Sequence, residues 1–463
     1  MSAIPNTNKY QVFERPLPPK AQRRLPRSSR NTMNATDSRT SFDLWVTVTS
    51  IRPSTLLASM SPWKSYVVPA VLGYILLCRA LRYRGEQKLR RRMGFPEGCG
   101  REALSRMTND QAQQIIRYLA TYEFPDFHRM SLEFGFFKTY GIESISRLLL
   151  ATRNLTDPVK SLKRFEDTAT LIGEFMLNPP DSERMINSLA RVNFLHGKYM
   201  QEGTISNEDL LYTLSVFVTE PPRFARLYEW RAMNEMEYCA YGVFWKVIGE
   251  AMGISYKGLL EHDTWRDGIE WADDITAWAK RYEVDIMKPS AISNKPAKTL
   301  IPMITYWLPW FATPFAHEAV CVLLGDRVRE AFLLPEPGIV AAATVYSLLL
   351  LRRLFIRYLA LPRYFEVSRH GDPDAKTGRI HMRIPYGKFP FYVKPTLWNR
   401  WGPTAWAIWL YGGKVPGDNP EEYMPQGFLW ADMGPKNRMG TGTKEMEVGA
   451  QRLRATRTGG CPF

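Results

Sequence analysis

A chain of 463 residues with 45% hydrophobic content can build one large core or two smaller ones. Its five cysteines are odd in number, scattered and never spaced as CxxC, which suggests neither a disulfide framework nor a zinc ribbon and points to a reducing compartment. An excess of 61 Lys/Arg over 46 Asp/Glu, a net charge of +15, narrows a macromolecular partner to nucleic acid or an anionic membrane surface.

Residues 1–62 carry nine Lys/Arg against three acids and are rich in Pro, Ser, Thr and Asn without an apolar period, so they read as a disordered basic arm. A transit peptide is the competing reading, and Asn34-Ala35-Thr36 is a formal glycosylation sequon. Residues 63–83 follow as a candidate transmembrane helix. The uninterrupted apolar run 66–78 covers only roughly 20 Å of a hydrocarbon core about 30 Å thick. Snorkelling by Lys64, Arg79 and Arg82, with Trp63, Tyr66 and Tyr83 at the interfaces, extends the reach to about 31 Å. Arg79, Arg82, Arg84, Lys88, Arg90, Arg91 and Arg92 would hold the C-terminal side in the cytosol, giving a single-pass protein. A buried or interfacial helix is the alternative, given Pro69 and the short run.

From residue 84 to about 400 the pattern predicts a helical domain. Apolar residues recur at three and four spacing over 112–122, 144–150, 165–177, 186–200, 210–217, 224–252 and 265–282. Pro180-Asp181-Ser182 and Ser206-Asn207-Glu208-Asp209 are start signals, and Pro221-Pro222 is read as opening the long helix 224–252. Strand-type alternation is nearly absent, so the fold class is all-α. The apolar stretches 301–324 and 339–351 are broken or short, and are expected to pack in the core or lie on a membrane. Residues 401–463 look like an irregular C-terminal wrap ending in a loose tail.

The chain has no HExxH, no G-x-S-x-G, no phosphate-binding Gly-Lys-Ser/Thr loop and no strand followed by GxGxxG. Its six histidines (128, 196, 262, 317, 370, 381) form no pair at helical spacing, so a multi-histidine metal site would need distant segments. His196 sits in a predicted helix with Val192 and Met200 on its own face and Gly197 beside it, where a flat macrocycle can approach closely. Arg164 and Thr168, at i and i+4, share one helix face. Residue types alone leave two readings open: a haem pocket, which needs one axial imidazole, or a core histidine beside an Arg paired with Glu166 or Asp167.

The runs Tyr122-Glu-Phe-Pro125, Lys163-Arg-Phe-Glu-Asp-Thr168, Arg191-Val-Asn-Phe-Leu-His196, Tyr228-Glu-Trp-Arg231, residues 244–254 (FWKVIGEAMGI), Leu324-Gly-Asp-Arg-Val-Arg329 and residues 356–363 (IRYLALPR) resemble the fungal MpaB-type endoplasmic-reticulum oxygenases. The likeness spans residues 63–400 and is shared with the catalytic domain of bacterial rubber oxygenases (latex-clearing proteins). It implies a globin-like helical fold with b-type haem, in which Arg164 and Thr168 lie beside the haem and His196 is the iron ligand. It further implies dioxygen-dependent cleavage of a C=C bond in the prenyl side chain of a fungal secondary-metabolite intermediate, at the endoplasmic-reticulum membrane with the catalytic domain in the cytosol. An apolar prenylated substrate gathers in membrane lipid, so a membrane-anchored enzyme suits it. Rubber oxygenases carry a lysine directly before the threonine, able to reach the distal side of the iron, where this chain has Asp167; Glu143 is the candidate for their active-site glutamate by rough position. The non-catalytic alternative is a membrane-anchored haem- or lipid-binding helical protein. Nucleic acid is not the expected partner, because the basic excess concentrates in the arm and beside the span, where anionic lipid explains it.

Overall fold

The structure is a computed structural model that describes residues 62–152, 158–305, 308–384, 386–456 and 459–463. The basic arm, with its transit-peptide and sequon readings, lies outside the described residues. The chain divides into two units, residues 1–70 and 71–463. In the first, the described residues are the opening turns of helix α1 (Pro62–Arg82), which continues into the second.

The second unit is helical almost throughout, as the apolar periodicity predicts. Short turns aside, it contains α2 (Arg84–Met93), α3 (Asn109–Tyr118) with a π-turn Leu119–Glu123, α4 (Pro125–Thr139), α5 (Glu143–Ala151), α6 (Pro158–Leu177), α7 (Glu183–Gln201) and α8 (Asn207–Tyr228). These are followed by α9 (Glu235–Ala251), α10 (Gly268–Ile286), α11 (Ala291–Ile304), α12 (Thr313–Leu324) and α13 (Ile339–Tyr358). An antiparallel pair, β1 (His370–Pro373) and β2 (Ile380–Met382), precedes α14 (Leu397–Trp401), α15 (Pro403–Leu410) and α16 (Thr443–Ala455). α9 is buried on nearly every side, between α3, α8 and α10. Trp245, on α9, stacks on Phe217 of α8 with ring centroids 4.8 Å apart.

Two of the start signals act as expected. Ser182 and Ser206 accept from Met185 N–H and Asp209 N–H at the heads of α7 and α8. The long helix 224–252 does not exist. Pro221 and Pro222 lie inside α8, and the chain breaks at residues 229–234 before α9 starts at Glu235. The prolines forfeit two intrahelical donors, but α8 continues because most of its side chains around them are buried against α4. The true start is a capping box: Asn234 accepts from Glu237 N–H at 3.0 Å, and the Glu237 carboxylate accepts from Asn234 N–H at 2.9 Å.

Among the described residues, two helical stretches are long and apolar enough to cross a membrane: Tyr66–Met93, which begins in α1 and runs into α2, and α13. The expectation that residues 339–351 could pack in the core fails: of α13, only Ala341 and Val345 are buried. A narrow stripe holds it to the body. Leu349 and Ile356 pack on the core, and Arg352 bonds to Glu229 at 3.0 Å and covers the Phe127 ring. The positions 341, 345, 349, 352 and 356 recur at three and four spacing, one face of a helix. Its other side exposes Leu348, Leu351, Leu354 and Phe355. The ends of α1 and α13 are tied together, with the Tyr74 hydroxyl donating to Leu359 O at 2.8 Å and Arg82 to Ile356 O at 2.6 Å.

The chain beyond residue 401 is less irregular than expected, and its end is not loose. α16 packs along α7. The fully buried Arg191 donates to the carbonyls of Met433, Arg438 and Thr441 at 2.6 to 2.9 Å, which fixes the loop before α16. The last residues are held by Gly460 O, which accepts from Asn109 N–H, and Pro462 O, which accepts from Lys246.

Candidate functional site

The site is built on the two faces of α6. Lys163, Asp167, Thr170 and Glu174 are buried, whereas Arg164, Phe165, Thr168, Ala169 and Ile172 keep accessible surface along the other side. On that open face the Thr168 hydroxyl donates to the Arg164 carbonyl at 2.9 Å, leaving its lone pairs free. Arg164 Nη1 is buried with no hydrogen-bond partner among the described residues.

His196, on the adjacent helix α7, is half-buried, and its Nδ1 is likewise buried without a partner. Burial, reinforced by the positive charge of Arg164, lowers its pKa to about 4. The imidazole is therefore neutral near pH 7, the form that ligates metals. Arg164 also acts on Tyr140, whose phenol burial pushes up to about 12 against the pull of that guanidinium. Arg164 thus stands within electrostatic reach of His196 and Tyr140, one helical turn from Thr168.

Thr168 reaches a mostly apolar cavity of about 190 Å³ between α4 and α6, lined by Leu132, Phe136, Phe165, Ala169, Ile172 and Phe217 among others. Arg164 and His196 do not line it. Titratable residues that sequence reasoning did not single out do, among them His128, Glu133 and His370. His128, fully enclosed on α4, is held neutral by burial, with its pKa lowered to about 4. Burial raises the Glu133 carboxyl, opposed by Arg129. His370 approaches Gly173, where any Cβ would collide with Nε2, and its Nδ1 meets Glu174 Oε1 at 2.6 Å. Burial alone would raise Glu174, but donors from His370 and Arg184 outweigh it and hold it below the usual carboxylate range. α4 has no one-sided period, because one side packs on α8 and the other lines the cavity. Its one legible signal is Pro125 at the first helical position.

Asp167 and Glu143, the other residues that the resemblance singles out, are both tied to partners outside the cavity. Asp167 does not point toward the site that the neighbouring threonine faces. Its carboxylate accepts from Lys163 Nζ at 2.6 Å, from the Tyr392 hydroxyl at 2.5 Å and from Gly434 N–H at 2.9 Å. Successive helical residues are turned about 100° apart, so the residue before Thr168 looks toward the C-terminal segment. Burial pushes this carboxyl up and the three donors pull against it. Glu143 lies at the start of α5, bonded to Arg147 and to Ser290 Oγ at 2.7 Å, and does not line the cavity.

Among the described residues no three His, Cys, Asp or Glu side chains converge, so a metal ion held by protein donors alone has no ready donor set. A group that asks for one neutral imidazole and one cation with an unmet donor has both, in His196 and Arg164. The position that a Cβ on Gly197 would occupy has nothing within 4 Å, which leaves space beside His196.

No protein-family model matches the chain. It is 39% identical over 408 residues to a Penicillium brevicompactum protein named ER-bound oxygenase mpaB′, an alignment covering 88% of this chain and 96% of the relative. The ER-bound oxygenase mpaB of the same species is 38% identical over 82% of this chain and 90% of its own length. That of Penicillium roqueforti is 39% identical over 60% and 93%. The helical body, the apolar helix α1 and this identity over nearly the whole length of the relatives agree: the chain belongs to the MpaB-type ER-bound oxygenases.

Proposed function

We propose that this oxygenase is haem- and dioxygen-dependent and cleaves a C=C bond in the prenyl side chain of an apolar fungal secondary-metabolite intermediate. The observation that carries the reading is the neutral His196 together with Arg164, whose buried Nη1 has no hydrogen-bond partner among the described residues, one helical turn from the apolar cavity that Thr168 lines. Haem b, when bound in a globin-like arrangement of helices, would supply the redox centre for dioxygen. His196 offers the axial imidazole that a haem iron requires. Arg164 provides a cation for a propionate or for negative charge developing during the reaction. The Thr168 hydroxyl is the polar group of α6 placed to orient a reactant at the cavity wall, and Leu132, Phe136, Phe165 and Ile172 suit a branched alkene. Cleavage of the alkene to two carbonyl fragments takes up both atoms of one dioxygen, so the balance needs no external reductant.

For the membrane arrangement we propose that α1 is the single span and that the cationic run after it keeps the catalytic body in the cytosol. α13, bound to the body by its narrow stripe, lies flat with its exposed leucines in the lipid interface. An absorption spectrum of detergent-purified full-length protein, before and after reduction, tests the cofactor. A Soret band that His196→Ala removes is the expected result; a colourless active enzyme, or a His196→Ala protein that keeps its haem, overturns it. Oxygen uptake with a prenylated phenol separates the enzyme from a non-catalytic haem- or lipid-binding protein. Uptake that Thr168→Ala lowers without loss of haem supports catalysis, and no uptake by the haem-loaded protein favours the other reading.

A further inference from the structure

We propose that α14 and α15 form a second membrane contact, a tryptophan-rich foot seated in the headgroup region of an anionic leaflet. Trp398, Trp401, Trp406 and Trp409 are 68%, 62%, 57% and 64% exposed, and Leu397 and Leu410 are 85% and 75% exposed. Contiguous apolar surface of this kind on a folded protein marks an interaction site. It is a built feature. Thr396 caps α14 with a hydrogen-bonded box, and any Cβ on Gly402 would collide with the Trp398 carbonyl, so glycine permits the tight turn between the helices. The Trp406 indole donates to Trp401 O at 3.0 Å, and Ala405 and Ile408 hold α15 to the body from its other side.

Three observations select a bilayer as the occupant. The foot is composed of tryptophan and leucine rather than leucine alone, and the indole, apolar with one polar N–H, favours the membrane interface. Helices of five and eight residues reach at most about 12 Å, which suits insertion to interfacial depth and excludes a span. Charge completes the case: residues 375–417 contain seven Lys/Arg and no Asp or Glu. Lys394 and Lys414, on either side of the foot, are exposed and have no acidic partner within ion-pair distance among the described residues. Anionic headgroups would complement these cations. A second copy of the chain, paired face to face, would bring like charges together.

The test uses full-length protein in vesicles of neutral or mixed neutral and anionic lipid, brominated either near the headgroup or deep in the acyl chain. Tryptophan fluorescence is compared between wild type and a variant with Trp398, Trp401, Trp406 and Trp409 all changed to Ser. These four are among fourteen tryptophans. The expected result is quenching by the shallow label, stronger than by the deep one, that falls by about a third or more in the variant. Lys394→Glu/Lys414→Glu, which leaves the apolar residues intact and serves if the first variant unfolds, should weaken the shallow quenching in anionic vesicles and not in neutral ones. Equal quenching in wild type and both variants overturns the proposal. So does sedimentation of the wild type as a dimer in detergent that the four-Ser variant abolishes, which would make the foot a protein interface.

Discussion

The two faces of α6 hold neighbouring residues with opposite roles. Lys163 and Asp167 are enclosed, and each meets hydrogen-bond partners from the segment 392–434. Arg164 and Thr168, one residue further along, border open space, and Arg164 keeps a buried nitrogen without a partner. A fully bonded buried ion pair holds structure together, whereas a buried guanidinium nitrogen with an unmet donor is costly unless something else binds there. The contrast separates staple from site on one helix.

The largest expected effect strikes the staple. Asp167→Ala leaves the Lys163 ammonium buried without its counter-ion and frees Gly434 N–H and the Tyr392 hydroxyl, so it should cost about 3 to 5 kcal/mol. Denaturant unfolding measures this. Arg164→Ala should stay within about 1 kcal/mol of wild type while lowering haem content or oxygen uptake. Equal losses of stability in the two variants would break the distinction between the faces.

The acid limb is next. His128 has a folded-state pKa of about 4 against an ordinary value of 6.5. As pH falls, the unfolded chain takes up the proton first, so the stabilising contribution is complete above pH 6.5 and is lost progressively down to pH 4. For this fully buried ring the loss reaches about 3 kcal/mol at its limit. His128→Leu should flatten that slope in thermal melts across the window. An unchanged slope would move the acid sensitivity to other groups, His196 first, since its pKa is displaced in the same direction.

How much of this was legible follows from which helices have two different sides. α6, α7 and α8 show apolar periods, and α7 and α8 also explicit starts, so their existence and the sharing of a face by Arg164 and Thr168 are readable locally. The orientation of Asp167 was half readable: Lys163 stands four residues before it, but Tyr392 and Gly434 are more than two hundred residues away. α4 was hidden because both of its sides are in use. The break between α8 and α9 was misread through Pro221-Pro222, although Asn234-x-x-Glu237 announces it. Asn234→Ala should cost about 1 kcal/mol, and no loss would mean that packing alone sets the start of α9.

Thr168→Val is the mildest change and the sharpest probe of the open face. Valine keeps the β-branched shape and the methyl group and puts a second methyl in place of the hydroxyl, so the cavity wall keeps its volume and α6 its rotamer restriction. What disappears is one hydroxyl whose hydrogen bond runs to the Arg164 carbonyl within the same helix. Such a bond contributes about 0.5 to 1.5 kcal/mol net, and at a half-exposed position the loss should fall at the lower end. A drop in oxygen uptake with an unchanged melting point therefore reports the hydroxyl rather than a collapsed wall. Thr168→Ser makes the reverse change, keeping the oxygen and removing the methyl. If Ser retains uptake where Val loses it, the oxygen at the wall is what the reaction needs; if Val retains it, Thr168 is a packing residue like its neighbours Phe165 and Ile172.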